Sequence, residues 1–208
     1  MNNNIVLSIG RQFGSGGSAI GKKLAGELNI SYYDRELLYV AAHDSGLCPE
    51  VFEKADERES SGLSYAFSAG FSPPGMYIPC DDILSNEKLF LLQSETIRSL
   101  AKKESCVIIG RCSDYVLRDN PDCLSFFIHN TPDRRVKQVA ERGNVSEARA
   151  RELIARMDKS RAAYYNYYTN KLWGMASSYN FSIDVSVLGI DGTVSFLKDL
   201  IARKYKTN

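Results

Sequence analysis

Two absences bound this chain before any motif is considered: it has no cysteine framework and no surplus of charge. Its five cysteines, Cys48, Cys80, Cys106, Cys112 and Cys123, are odd in number and include no Cys-x-x-Cys pair, and only His43 and His129 are there to assist them. That supports neither a disulfide scaffold nor a structural zinc site. With 26 basic and 25 acidic residues the net charge is +1. No global field draws the chain to nucleic acid or an anionic membrane, so any anion site must be local. No apolar run approaches the length of a membrane span, and the N-terminus carries no basic region ahead of a signal core. The expectation is a cytoplasmic protein in a reducing compartment, with no membrane and no nucleic-acid polymer as partner; the sequence leaves its oligomeric state open.

A third absence is local. Residues 5–18, Ile-Val-Leu-Ser-Ile-Gly-Arg-Gln-Phe-Gly-Ser-Gly-Gly-Ser, form an apolar run, then a glycine-rich turn, then the start of a helical pattern. That is the context of a phosphate-binding loop, in which glycines admit an oxyanion close to the backbone and the helix start adds free N–H donors and positive dipole. The pattern G-x-x-x-x-G-K-[ST] asks for a lysine before the hydroxyl residue. Anchored on Gly16-Gly17-Ser18, that lysine is Gly17 and the first glycine is Arg11. Ser18 still occupies the position of the magnesium-binding hydroxyl, and Arg11 or a distant basic residue is left to replace the charge. The same residues also suit an ordinary strand-to-helix turn with surplus glycine.

The chain of 208 residues fits one domain with a lid or insertion. Short apolar runs at 5–9, 30–33, 106–110, 124–129 and 181–185 alternate with helical patterns at 18–28, 35–43, 88–103, 132–142, 145–168 and 193–204. This alternation predicts an α/β fold with a parallel sheet buried on both faces. Thr131 before Pro132 and Asn144 with Glu147 are the expected helix-start signals. Residues 60–85, with Pro73-Pro74 and scattered aromatics, break the rhythm and suit either a substrate flap or a surface loop.

Ligands of open α/β sheets gather beyond the carboxyl ends of the strands. There the sequence places the glycine loop, then Asp34-Arg35, then Gly110-Arg111. An arginine at a strand end can fork two donors onto phosphate, and Asp34 can take a sugar hydroxyl or a magnesium-bound water. Within the helical run 145–168, Ile154, Met157, Asp158, Arg161, Tyr164, Tyr165 and Tyr168 fall on one stripe, so two charges lie among apolar contacts. Either Asp158 and Arg161 form an ion pair, or Arg161 overhangs a cleft to neutralise a phosphoryl group in transfer. Arg156 and Lys159 add positive charge nearby, although Lys159 points away from Arg161 on a straight helix. Arg98, on the helix before the third strand, suits an acceptor phosphate or a solvated face.

Together the loop 11–18, Tyr33-Asp34-Arg35, Val107-Ile108-Ile109-Gly110-Arg111, and Asp158-Lys159-Ser160-Arg161 followed by Tyr164-Tyr165 resemble the cytidylate kinase-like family, in order and over nearly the full length. The resemblance implies a three-layer P-loop kinase fold: a central parallel five-stranded sheet, a helical acceptor-binding insertion at about 35–100, and a helical lid at about 142–162. It implies ATP as phosphoryl donor, Mg2+, and a nucleoside monophosphate such as CMP or dCMP as acceptor. By position, Gly14, Ser15, Gly16, Gly17 and Ser18 would hold donor phosphates, with Ser18 at the metal. Asp34, Arg98 and Arg111 would face the acceptor, and Arg11, Arg156, Lys159 and Arg161 would supply catalytic cations. Three departures stand out: Gly17 for the lysine, Cys112 for the aspartate after Gly-Arg, and Met157 for an aspartate of the lid. A kinase for another small metabolite, or a nucleotide-binding module without catalysis, fits the same residues.

Overall fold

A computed structural model of the chain describes residues 4–34 and 86–205. The chain divides into two units, Met1–Arg35 with Ile97–Asn208, and Glu36–Thr96. Of the second, only 86–96 is described, as the first half of a helix. The expected helix at 35–43 and the segment 60–85 lie outside the described residues.

The described elements are β1 (Val6–Arg11), α1 (Gly17–Leu28), β2 (Ser31–Tyr33), α2 (Asn86–Lys103), β3 (Cys106–Ile109), a short α3 (Ser113–Val116), β4 (Cys123–His129), α4 (Pro132–Gly143), α5 (Glu147–Thr169), β5 (Phe181–Asp184) and α6 (Val185–Tyr205). All five expected strands form, and they pair in parallel in the order β2-β3-β1-β4-β5. Ile9 stands level with Ile109 on one side and Phe126 on the other, so the carboxyl ends of β1, β3 and β4 meet at one edge.

The strands are near-continuous in hydrophobicity because both faces of the sheet are covered. On one face Leu7, Ile9, Val107, Ile109, Phe126 and Ile128 pack with Ile20 and Leu24 of α1 and Leu197 of α6. The alternate residues Val6, Ile108 and Phe127 are equally buried on the other face. Each such side chain contributes about 1.5–3 kcal/mol on burial. Ser8 is the one polar residue in the buried part of β1, residues 6–9, and its hydroxyl meets that of Ser113 at 2.6 Å, which fastens α3 to the sheet.

Two local expectations need correction, and one short helix was not expected. The capping residue of α5 is Ser146, whose hydroxyl accepts the Arg149 N–H at 3.3 Å; Asn144 instead ends α4 with φ 47°. Asparagine tolerates the left-handed region, so one residue type serves as start and stop signal. The last helix begins at Val185 rather than near 193, because Gly189 (φ 68°, ψ −177°) splits it into two pieces. Only the second piece follows a clear helical pattern; the first is started by Asp184, whose Oδ1 accepts the Ser186 N–H at 2.8 Å. Helix α3 is too short to leave a periodic trace in sequence.

Candidate functional site: an arginine cluster over a glycine loop

The loop between β1 and α1 is built by close approach. Gly14 and Gly16 take φ of 74° and 87°. A Cβ at Gly14 would stand 2.7 Å from Val139 Cγ2 and 3.1 Å from the Arg135 carbonyl, so the loop presses on α4 at a distance only glycine permits. Inside the turn the buried Ser15 hydroxyl donates to the Gln12 carbonyl at 2.9 Å and accepts the Gly17 N–H at 3.3 Å. The Ile20 N–H bonds to the Gly16 carbonyl at 2.9 Å. Ser18 and Ala19, exposed in the first turn of α1, have N–H groups with no intrahelical acceptor. The helix start therefore offers donors and dipole to an anion.

Two helices hold this loop by its backbone. Asp158 of α5 accepts the Phe13 N–H on Oδ1 at 2.8 Å and pairs through Oδ2 with Arg135 of α4. Arg135 Nε in turn donates to the Phe13 carbonyl at 2.8 Å. Both peptide groups of Phe13 are thus clasped by one ion pair, whose side chains are only 8% (Arg135) and 17% (Asp158) exposed. Asp158 and Arg161, which sequence spacing offered as a pair, each face the loop instead of one another. Arg161 Nη1 donates to the Arg11 carbonyl at 3.0 Å, and its guanidinium carbon lies 5.5 Å from the Phe13 ring centroid.

The side chain of Arg11 runs across the strand ends. A Cβ at Gly17 would stand 2.6 Å from Arg11 Cβ and 3.1 Å from Cγ, and a Cβ at Gly110 would collide with Arg11 Nη1. The stem therefore passes over the start of α1, and the head rests on the end of β3. Its Nε is buried and, among the described residues, has no hydrogen-bond partner. Burial first, then the positive charges of Arg161 and Arg111, hold its guanidinium well below the ordinary arginine value; Tyr32 and Asp34 act in the opposite direction, more weakly. Burial likewise pushes Arg161 down to about 10, with Asp158 opposing and Arg111 and Arg135 adding to the shift.

Arg111 reaches this cluster from a strained turn. Gly110, Arg111 and Cys112 take φ of 70°, 56° and 54°, one left-handed turn closed by the Ser113 N–H on the Gly110 carbonyl at 3.1 Å. Each non-glycine residue there costs about 1–2 kcal/mol, and such outliers persist where function or packing over-determines them. The Arg111 guanidinium lies 6.0 Å from the Tyr164 ring centroid. Arg11, Arg111 and Arg161 are thus brought together, with Asp34 beside them just past β2. Lys159 and Arg98 are exposed side chains on α5 and α2. Arg156 has a buried Nε without a partner among the described residues.

Two largely buried charged groups near the loop and the Arg111 turn escaped the sequence. Arg135 was recoverable in principle, since it shares the buried face of α4 with Val136 and Val139. Asp114, whose carboxylate accepts the Tyr165 hydroxyl at 2.7 Å, gave no signal. Burial raises its carboxyl above the usual range, against the Tyr165 hydrogen bond and the charge of Lys171. Cys112, which stands where a carboxylate was expected, is buried with its thiol pushed up to about 12, so it supplies no charge at neutral pH.

For magnesium, the described residues contain no group of three His, Cys, Asp or Glu side chains able to hold a metal. Mg2+ keeps several waters and binds through one or two protein groups plus phosphates. The exposed Ser18 hydroxyl beside free helix-start donors fits a cation that arrives with a nucleotide.

Residues 6–187 match the family model described as the cytidylate kinase-like family. A solved structure of an uncharacterized protein from Eubacterium ventriosum ATCC 27560 is similar over 95% of this chain and 98% of its own, at 30% identity and a TM-score of 0.70. Shikimate kinase from Bacteroides thetaiotaomicron (15% identity, TM-score 0.51, covering 95% and 98%) shares the fold. So does a gluconokinase from Sinorhizobium meliloti 1021 (13%, 0.53, covering 98% and 97%). Among curated proteins none matches the chain. The three-layer architecture is therefore that of P-loop kinases. No described helix is long and apolar enough to cross a membrane.

Proposed function

This chain belongs to the cytidylate kinase-like family, and on that footing we propose that it transfers the γ-phosphoryl group of ATP to a nucleoside monophosphate, CMP or dCMP first among them. Family and fold support a phosphotransferase acting on a nucleotide or small metabolite. The observation that carries the reading is the convergence of Arg11, Arg111 and Arg161 at the strand ends beside a glycine loop. Three guanidiniums that repel one another, one with a buried unpartnered Nε, form an arrangement an anionic ligand stabilises.

In this reading the loop 14–18 cradles the donor phosphates with backbone N–H groups, and Ser18 Oγ is the protein group at the magnesium ion, which neutralises phosphate charge when bound. Arg161, fixed over residues 11–13, spreads the charge of the transferring group. An oxygen of the acceptor phosphate attacks the γ-phosphorus, the bond to the bridging oxygen breaks, and ADP departs. The acceptor phosphate is already anionic, so the step needs positioning and cations rather than a strong base.

One observation favours a different acceptor. Cys112 is uncharged where the family resemblance led us to expect an aspartate, and the carboxylate two residues on, Asp114, is already engaged by Tyr165. A base read through that aspartate would lose its partner, which leaves room for another phosphorylated metabolite. Incubation with MgATP and a panel of nucleoside monophosphates, followed by chromatography of products, tests the reading. Conversion of CMP to CDP supports it. Turnover confined to other phosphorylated metabolites shifts it to the second, and ATP binding without any turnover sinks both.

A further inference from the structure

We infer that Arg11 belongs to the acceptor site rather than replacing the absent donor lysine, and that with Arg111 it forms a pocket for the phosphate group of the acceptor. The inference deepens the kinase reading above and rests on it for the word acceptor; the anion pocket itself rests on geometry.

The path of the side chain is the argument. A lysine at position 17 would start from the first turn of α1 and stay with phosphates held there. Arg11 starts at the end of β1, and only its stem passes Gly17; its Nη1 lies against Gly110, at the end of the neighbouring strand β3. Of the side chains that act on it, Arg161 belongs to α5, but Arg111 follows Gly110, and Tyr32 and Asp34 belong to β2 and the residue just past it, on the far side of β3 from β1. The guanidinium has thus crossed one strand away from the helix terminus that would hold the donor. Two glycines make that crossing possible, one under the stem and one under the head.

The chemistry of the pocket selects an anion. Arg11 Nε is buried without an acceptor among the described residues. Arg161 and Arg111 each act on it more strongly than the one carboxylate beside it, Asp34. Arg111 is presented to the same place by backbone held left-handed at 56°. A monoester phosphate supplies several acceptor oxygens to two forked guanidiniums, a match that a neutral sugar hydroxyl does not make. The acceptor class is therefore a phosphorylated compound.

The test separates the two sites by calorimetry. Wild-type protein is saturated with magnesium and a non-hydrolysable ATP analogue to fill the donor loop, then titrated with inorganic phosphate and separately with CMP. Phosphate is expected to bind without displacing the analogue. Arg11→Met should weaken phosphate by about 10–100-fold, the range for a lost hydrogen bond to a charged group, while analogue affinity stays within about twofold. Because it removes a buried, unpartnered charge, the same variant should melt at a higher temperature without ligand and lose the thermal shift that phosphate produces. Arg11→Lys, which keeps charge on a similar stem, serves if the methionine variant does not fold and should retain part of the phosphate affinity. Loss of analogue affinity with phosphate unchanged would return Arg11 to the donor site and overturn the inference. So would phosphate that competes with the analogue, or no phosphate binding by wild type. If phosphate binds as stated but no nucleoside monophosphate does, the pocket stands and only the choice of CMP falls.

Discussion

Arg11 and Gly17 occupy one another's space: any side chain at 17 would place its Cβ 2.6 Å from Arg11 Cβ. The missing lysine and the extra arginine are therefore one structural choice. Gly17→Lys alone should not restore a conventional phosphate loop. Overpacking of this kind costs about 1–3 kcal/mol, to be read as a lower denaturation midpoint. Adding Arg11→Gly should recover most of that loss; a single Gly17→Lys as stable as wild type would disprove the steric coupling.

The clasp on Phe13 gives a second expectation. Asp158→Ala leaves the largely buried Arg135 unpaired and frees the Phe13 N–H, so it should destabilise by about 3 kcal/mol, the lower end for breaking a buried pair. It should also weaken binding of the ATP analogue, because the loop loses its tie to α5 and the arginine that ties it to α4 loses its partner. Asp158→Asn, which keeps an acceptor, should lose less of both. Denaturant titration combined with calorimetry measures the two effects separately, and equal losses in the two variants would remove the charge from the explanation.

Arg161→Ala is expected to lower kcat by about 10²–10³-fold, the scale for one preorganised charge-stabilising donor. Stability should change by less than about 1 kcal/mol, since the lost hydrogen bond to the Arg11 carbonyl is offset by relief of burial. Kinetics under saturating substrate, with a melting curve alongside, distinguish this from a folding defect. A variant that unfolds in proportion to its lost activity would count against a catalytic role.

Stability should fall at alkaline pH. Burial raises the thiols of Cys106, Cys112 and Cys123 from 9.0 to about 12, and raises Tyr32 and Tyr33 from 10.0 to about 12. A folded value above the unfolded one means that the folded state holds more protons, so stability is fully present below about pH 9 and is lost as pH climbs towards 12. At pH 8 these three thiols should also resist alkylation in the native protein, measured with Cys48 and Cys80 replaced by serine. Rapid labelling of Cys106 or Cys112, the two fully buried thiols, would contradict their burial.

Asp114 predicts a change at the other end of the scale. Its raised carboxyl value means that the folded protein is penalised at neutral pH, and that the penalty fades as acid protonates the group. Asp114→Asn retains an oxygen to accept the Tyr165 hydroxyl and should raise the melting temperature at pH 7, with the gain shrinking as pH falls towards the ordinary carboxyl value of 3.8. A gain that persists unchanged at low pH would point to packing rather than charge.

The strands could be read from sequence because burial on both faces writes an unbroken apolar run, as at Val107-Ile108-Ile109. Arg111 and Asp34 could be placed because they follow such runs directly. The route of Arg11 could not, since it depends on the absence of side chains at Gly17 and Gly110, distant in sequence and joined only by parallel pairing of β1 with β3. The partner of Asp158 was missed for a related reason. A three-residue spacing on one helix predicts proximity to Arg161, but the aspartate is taken by Arg135 and Phe13 from elements far along the chain.

The turn at Gly110-Arg111-Cys112 sets protein lifetime against chemistry. Replacing Arg111 with glycine would relieve about 1–2 kcal/mol of left-handed strain while deleting the guanidinium that the strain presents. Selection for thermal hardiness alone would therefore be expected to erode this position first. An arginine retained there by an evolving population marks the activity it is being grown to use.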